Sequence, residues 1–265
     1  DREITVGHDL MQNDSVKVAA LTVPVYEATA SQVAALLKTE LPGASFKKQG
    51  KVLKAYGASF TAASSTPVDL LASITENRKQ HMSILTLALV GPGTSTSVEG
   101  PQAEAAVRDL AVKLNKAVVQ QQIDSWKKQL AKADGKAEDA VKEHEKAQAQ
   151  QDKTRAKLEK SAKLKSKLQD EHAVLQREID LYNQKWTLSQ DQKDLKKLTK
   201  ARTKITRNET EMATAMQDEA ETQETLVKNA DELPDAQKEK EKATASQAEV
   251  QRTVDALQRK LENIR

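Results

Sequence analysis

From Ile123 onward, apolar and small residues recur at alternating three- and four-residue steps. The series is Ile123, Trp126, Leu130, Ala133, Ala137, Ala140, His144, Ala147, Gln151, Thr154, Leu158, Ser161, Lys165, Leu168, His172, Leu175, Ile179, Tyr182 and Trp186. A mean step of about 3.5 residues is that of a helix presenting one seam to a partner helix. Trp186-Thr187-Leu188-Ser189 is where the chain is expected to reverse. Ser189 and Gln192 have capping-box spacing, and Asp191 and Asp194 fall in the following first turn. A tip near 186–190 sets Tyr182 against Leu195, Ile179 against Leu198, Ile123 against Val254 and Val112 against Ile264. Apolar positions then coincide at both ends, and the C-terminus returns to where the first helix starts. The middle is poorer in apolar side chains. There Ala137, Ala140, Ala147, Gln151 and Thr154 face Glu219, Gln223, Ala230, Gln237 and Lys240. Such a seam is either flexible or covered by a second hairpin in a homodimer.

Two helix breakers interrupt the pattern, Gly135 and Pro234. Glycine in a helix interior costs roughly 1 kcal/mol and proline about 3. In the expected register they lie at nearby heights, so they mark one hinge in a long antiparallel coiled-coil hairpin. The alternative is that both are true turns and the helices fold into a shorter bundle.

Residues 1–101 have another character, holding seven of the eight glycines and five of the six prolines. Ser15 to Val25 reads as a strand, with Pro24 near its end or at an edge. Thr29 to Leu41 reads as an amphipathic helix with Val33, Leu36, Leu37 and Leu41 on one face, stopped by Pro42-Gly43. Ser45 to Lys48 and Val52 to Phe60 flank a Gln49-Gly50 hairpin turn. Val68 to Glu76 and His81 to Val90 flank a turn at Asn77-Arg78-Lys79. In the last strand Leu85, Leu87 and Leu89 point one way and Ile84, Thr86 and Ala88 the other. After the Gly91 to Ser97 loop, Pro101 suits a helix start. Val107, Leu110, Val112, Leu114, Val118 and Val119 form a face wider than a two-helix seam, so the base of this helix is expected to pack on the sheet.

The expected fold is thus α+β. A small antiparallel-sheet head over 1–115 is followed by an antiparallel coiled-coil stalk over 116–265. The β-α-β4-α order of the head is similar to that of TBP-like and helix-grip folds, at the level of element order alone. DNA binding does not follow from that likeness, since Phe46 and Phe60 are the only phenylalanines and residues 1–100 hold nine basic and nine acidic side chains.

Composition narrows the function. Across 265 residues, 42 Lys and Arg face 39 Asp and Glu, mixed along the helices, which speaks for a solvated, ion-paired surface and against nucleic acid. With no cysteine, disulfides and thiolate chemistry are excluded. The four histidines (His8, His81, His144, His172) lack zinc-ligand spacing, and no nucleotide-loop or nucleophile-elbow motif occurs. No enzyme activity, metal or cofactor is therefore expected, and no apolar run reaches the roughly 20 residues of a membrane span. Asp1 directly before an ordered-looking segment leads to the expectation of an extracytoplasmic, secreted or periplasmic protein. Contact residues are expected at Trp186 beside the hairpin tip and at Lys47, Lys48, Lys51 and Lys54 around the head's hairpin. The expected role is that of a structural or protein-interaction protein with a protein partner. A holdase chaperone, whose coiled-coil arms would be similar in plan to prefoldin-like and Skp-like proteins, is the alternative. Ligand or membrane-surface binding by the head is another.

Overall fold

The first 13 residues carry a strand that alternation does not announce. A computed structural model describes residues 3–13 and 16–265. It contains β1 (Gly7–Asn13), β2 (Val16–Tyr26), α1 (Ala30–Glu40), β3 (Lys47–Gln49), β4 (Val52–Ala58), β5 (Val68–Asn77), β6 (Met82–Val90), α2 (Pro101–Ser189) and α3 (Gln192–Asn263). The strands form one antiparallel sheet in the order β1-β2-β6-β5-β4-β3, so the head has six strands rather than five. In β1 only Met11 is buried, while His8, Asp9 and Leu10 are exposed. An edge strand with so little to bury shows no two-residue hydrophobic period. Ser15, the expected start of β2, lies outside the described residues.

Two compact units are present: residues 1–131 together with 249–265, and residues 132–248. In the first unit one sheet face carries Val23, Val25, Val68, Leu70, Leu85, Leu87 and Leu89 into a core with Val33, Leu36 and Leu37 of α1. Ala103 through Val118 of α2 pack into the same core, and Ile264 lies against it. The wide apolar face read at the start of α2 therefore rests on the sheet for about four turns. Helix α1 starts as its sequence dictates, with a capping box between Thr29 and Gln32. The β3–β4 turn is Gly50-Lys51, one residue later than expected, because Gln49 pairs with Val52 and Gly50 supplies a φ of 64°.

The opposite sheet face holds a second core, of Met11, Val18, Ala20, Leu71, Ala88 and Val90. Lys54 Nζ donates to Asn13 Oδ1 at 3.2 Å. Four inter-strand spacings separate β4 from β1, about 19 Å in a flat sheet, so the contact requires strong coiling. Continuous apolar stretches, Leu70-Leu71-Ala72 and Ala88-Leu89-Val90, are what burial on both faces demands.

Pro24 sits beyond the last β1 partner, since Gly7 pairs with Thr22. There the amide of Asn115, on α2, takes the place of a strand. Tyr26 N donates to Asn115 Oδ1 at 2.9 Å, and Asn115 Nδ2 donates to Pro24 O at 3.0 Å. Proline's missing N–H thus faces the side where no strand requires it. The early part of α2 and the end of α3 are both tied to the β2–α1 corner by Glu27. Its Oε2 accepts from Lys260 Nζ at 2.5 Å and from Gln122 Nε2 at 3.2 Å.

In the second unit α2 and α3 pack antiparallel. Ala133, Ala137, Gln151, Thr154 and Leu168 are buried on one helix, and Leu198, Ala201, Ile205, Asn208, Ala215, Thr222 and Asn229 on the other. The expected phase of α3 is corrected by one residue in its middle, where Gln223 and Ala230 are exposed and Thr222 and Asn229 take the seam. Leu226 and Leu233 set that phase, and Asn229 Nδ2 locks it by donating to Thr154 Oγ1 at 3.0 Å. Lys165–Glu219 at 2.8 Å and His172–Glu209 at 3.4 Å bridge the helices at two other levels. Gly135 and Pro234 both lie inside unbroken helices, so neither is a turn and the multi-helix bundle does not form.

The reversal comes at Gln190-Asp191. Gln190 adopts a φ of 53° and donates from its backbone N to Trp186 O at 2.8 Å. Asp191, rather than Ser189, caps α3, its Oδ1 accepting from Lys193 N at 2.8 Å. Ser189 instead ends α2, its Oγ donating to Lys185 O and accepting from Asp191 N. An ionised carboxylate at a helix N-terminus meets the positive end of the helix dipole, which a hydroxyl does less well.

Candidate functional site

Two surfaces combine exposed apolar groups with positive charge. The first is in the head. Helix α1 covers its part of the sheet with Val33, Leu36 and Leu37, which leaves Ala30, Ala34 and Ala35 lining a groove. Small side chains keep that groove open, and Leu53, Ala72 and Ile74 line it from the sheet. Its volume is about 660 Å³. Lys38 from the last turn of α1 and Lys48 and Lys51 from the β3–β4 hairpin stand at its rim, all exposed. An apolar floor under three ammonium groups suits an amphiphile with an anionic head.

The four lysines expected to act together at this hairpin are separated by the fold. Lys47 is exposed but does not line the groove, whereas Lys48 and Lys51 do. Lys54 is buried on the coiled sheet's other face, bonded to Asn13. Lys38, which the sequence reading left out, joins the pair because α1 packs beside the hairpin. Its only sequence signal was its place in the last turn of an amphipathic helix.

The second surface surrounds the hairpin turn. Leu188 is 89% exposed, Leu181 47%, Leu195 42% and Trp186 36%. Lys185 Nζ and Lys197 Nζ stand 6.0 and 5.5 Å from the centre of the Tyr182 ring, within cation–π range. Lys193 and Lys196 add charge nearby. Trp126, the other tryptophan, is half-buried in the first unit. The expected contact residue Trp186 therefore has exposed apolar company that the seam pattern did not show. Leu181 and Leu188 stand seven residues apart off the seam of α2, whereas Leu195, expected on the seam against Tyr182, is 42% exposed.

Farther along the second unit, α2 and α3 leave a groove of about 510 Å³ lined by Glu171, Val174, Leu175, Lys204, Arg207, Asn208 and Glu211. Asn208 is buried, and its Nδ2 donates to Leu168 O at 3.2 Å. Its Oδ1 has no hydrogen-bond partner among the described residues.

Gly135 is exposed, and no heavy atom stands within 4 Å of where a Cβ would lie. Pro234 is exposed as well. No close packing of the side chain thus requires either helix breaker. Among the described residues, no helix is long and apolar enough to cross a membrane. Compared with known protein families and with characterised proteins, the chain matches none.

Proposed function

We propose that this chain is a non-enzymatic protein-interaction protein whose helical hairpin recognises a protein partner through its turn. The observation that carries this reading is the exposure of Leu181, Trp186, Leu188 and Leu195 on the two arms flanking the chain reversal. Leucine standing 89% exposed at a helix end does not stabilise the isolated chain; it gains on meeting another apolar surface. Tryptophan and tyrosine, here Trp186 and Tyr182, are enriched at interface centres, with charged groups such as the flanking lysines at the rim. A photo-crosslinking residue at position 188 tests this in the native host. A discrete adduct is expected there and none from the exposed Gln223 on the seam's flank. Equal labelling at both positions, or no adduct at 188, refutes the reading. An extracytoplasmic location belongs to the same proposal and is checked by cell fractionation.

The head groove favours a second reading, in which it binds an anionic amphiphile or membrane surface. Lys38, Lys48 and Lys51 over an apolar floor support it. Co-sedimentation with vesicles containing phosphatidylglycerol is expected to fall at least tenfold in the triple variant Lys38→Glu, Lys48→Glu, Lys51→Glu. Equal sedimentation of the two proteins removes this reading.

A further inference from the structure

One side of the second unit carries residues that each immediately precede a seam position. On α2 these are Leu164, Lys167, Glu171, Val174, Glu178 and Leu181; on α3 they are Lys197, Lys200, Lys204, Arg207, Glu211, Thr214, Asp218 and Glu221. The two ribbons share one side, because Glu171 and Val174 line the same groove as Lys204, Arg207 and Glu211. Leu164 is 49% and Val174 53% exposed, too apolar for a face meant for water. Charge along α3 is segregated. From Lys193 to Arg207 there are seven basic residues and one acid; from Asn208 to Glu224 there are six acids and no base.

We infer that this side is the interface of an antiparallel homodimer, with a two-fold axis at the level of the His172–Glu209 contact. A two-fold axis lying in the interface across the helices inverts their direction and sets each helix on its own copy. Centred between His172 and Ala173, it places Leu181 on Leu164 of the second copy and Glu178 on Lys167. The same axis passes Glu209 of α3, since His172 and Glu209 meet at 3.4 Å. Arg207 then faces Glu211 of the second copy, Lys200 faces Asp218, and Lys197 faces Glu221. One axis thus joins Leu164 to Leu181 and sets opposite charges together on both helices, while Val174 falls beside Glu171, and Lys204 beside Thr214; Arg207 and Lys167 exchange or share their own-helix partners Glu211 and Glu171. The arrangement is self-complementary, as a two-fold interface must be. A parallel pair would instead keep the levels of the two copies aligned, without bringing Leu164 to Leu181. Among the described residues, none of Lys197, Lys200, Lys204, Asp218 and Glu221 is ion-paired within the chain; Lys197 stands over the Tyr182 ring and Glu221 accepts from Gln217 Nε2 at 3.0 Å. This interface shares Leu181 with the cluster at the hairpin turn but does not use Trp186 or Leu188, so loss of the adduct at position 188 and loss of the dimer are separate results.

The test uses the full chain and two charge variants. Lys197→Glu with Lys200→Glu puts like charges opposite at every such pair of its own homodimer. Asp218→Lys with Glu221→Lys does the same with the opposite sign. Sedimentation equilibrium is expected to show wild-type dimers at about 100 µM. Each variant alone should dimerise at least tenfold more weakly, and an equimolar mixture should recover the dimer, because the two variants complement each other. All four positions are exposed, so the circular dichroism of each variant should match wild type. Since the chain has no cysteine, Leu164→Cys mixed with Leu181→Cys should cross-link on oxidation, while Leu164→Cys alone should not. A wild-type monomer at that concentration, variants that dimerise like wild type, or a Leu164→Cys homodimer cross-link overturns the inference.

Discussion

Asn115→Leu removes the side chain that closes the sheet's open corner, and its cost follows from three hydrogen bonds. Asn115 is 4% exposed, and its amide serves Tyr26 N, Pro24 O and Ala111 O. The Ala111 carbonyl keeps its helical partner in the variant, so the loss falls on Tyr26 N and Pro24 O. A buried backbone group losing its partner costs about 1–3 kcal/mol. Water reaches this corner in part, which puts each near the lower end, and leucine returns some apolar burial. The net expectation is about 1–2 kcal/mol, or roughly 3–8 °C in Tm for a unit of this size. Fluorescence in a Trp186→Phe background reports Trp126, which lies in the same compact unit. Urea unfolding followed by that signal should shift its midpoint with unchanged slope. Lys116→Ala, one residue away and exposed, should move stability by less than about 0.5 kcal/mol. An Asn115→Leu variant within that same margin would show that the amide does not hold the corner.

Three further outcomes are expected. Asn229→Leu with Thr154→Val replaces a buried polar pair of the seam by apolar contact, and should raise the melting temperature of the second unit by circular dichroism; a lower one would show that the Asn229–Thr154 bond outweighs burial. Gly135→Ala, with open space at its Cβ, should stabilise by about 1 kcal/mol and Pro234→Ala by up to about 3; a loss from either would mean that the helix breaker relieves strain. In Glu138, Glu159 and Glu224 the hydrogen bond from Lys142, Lys163 and Lys228 holds the carboxyl below its ordinary value, and the charge of the same lysine adds to this. Their contribution is therefore complete above the ordinary carboxylate range and is lost as pH falls through the lowered folded values. Lys142 and Lys228 are raised by the same carboxylates, so their share is complete below the ordinary lysine value and is lost as pH rises through the raised one. Ellipticity at 222 nm should thus hold a plateau at neutral pH and decline on both sides, and a rise on acidification would contradict the sign.

Where a single chain segment decides its own burial, the sequence was sufficient. Leu85, Leu87 and Leu89 alternate because one face of β6 meets helices, and the step from Leu168 to Leu175 repeats because one stripe of α2 meets α3. Thr29 and Gln32 cap α1 through bonds only three residues long. Those periods and caps determined the α+β head, the packed base of α2 and the helical hairpin with its turn. Tertiary structure decided whatever depends on residues far apart in sequence. It chose Thr222 and Asn229 over Gln223 and Ala230, because the phase of one helix is fixed only by the other. Coiling of the sheet buried Lys54 and added a second core, and pairing with β2 alone made Gly7–Asn13 a strand. The groove under Lys38, Lys48 and Lys51 exists because α1 lies beside a hairpin that follows it in the chain. Periodicity records that a residue is buried; only the assembled neighbours determine against what, and so which charged and apolar groups are left standing together at the surface.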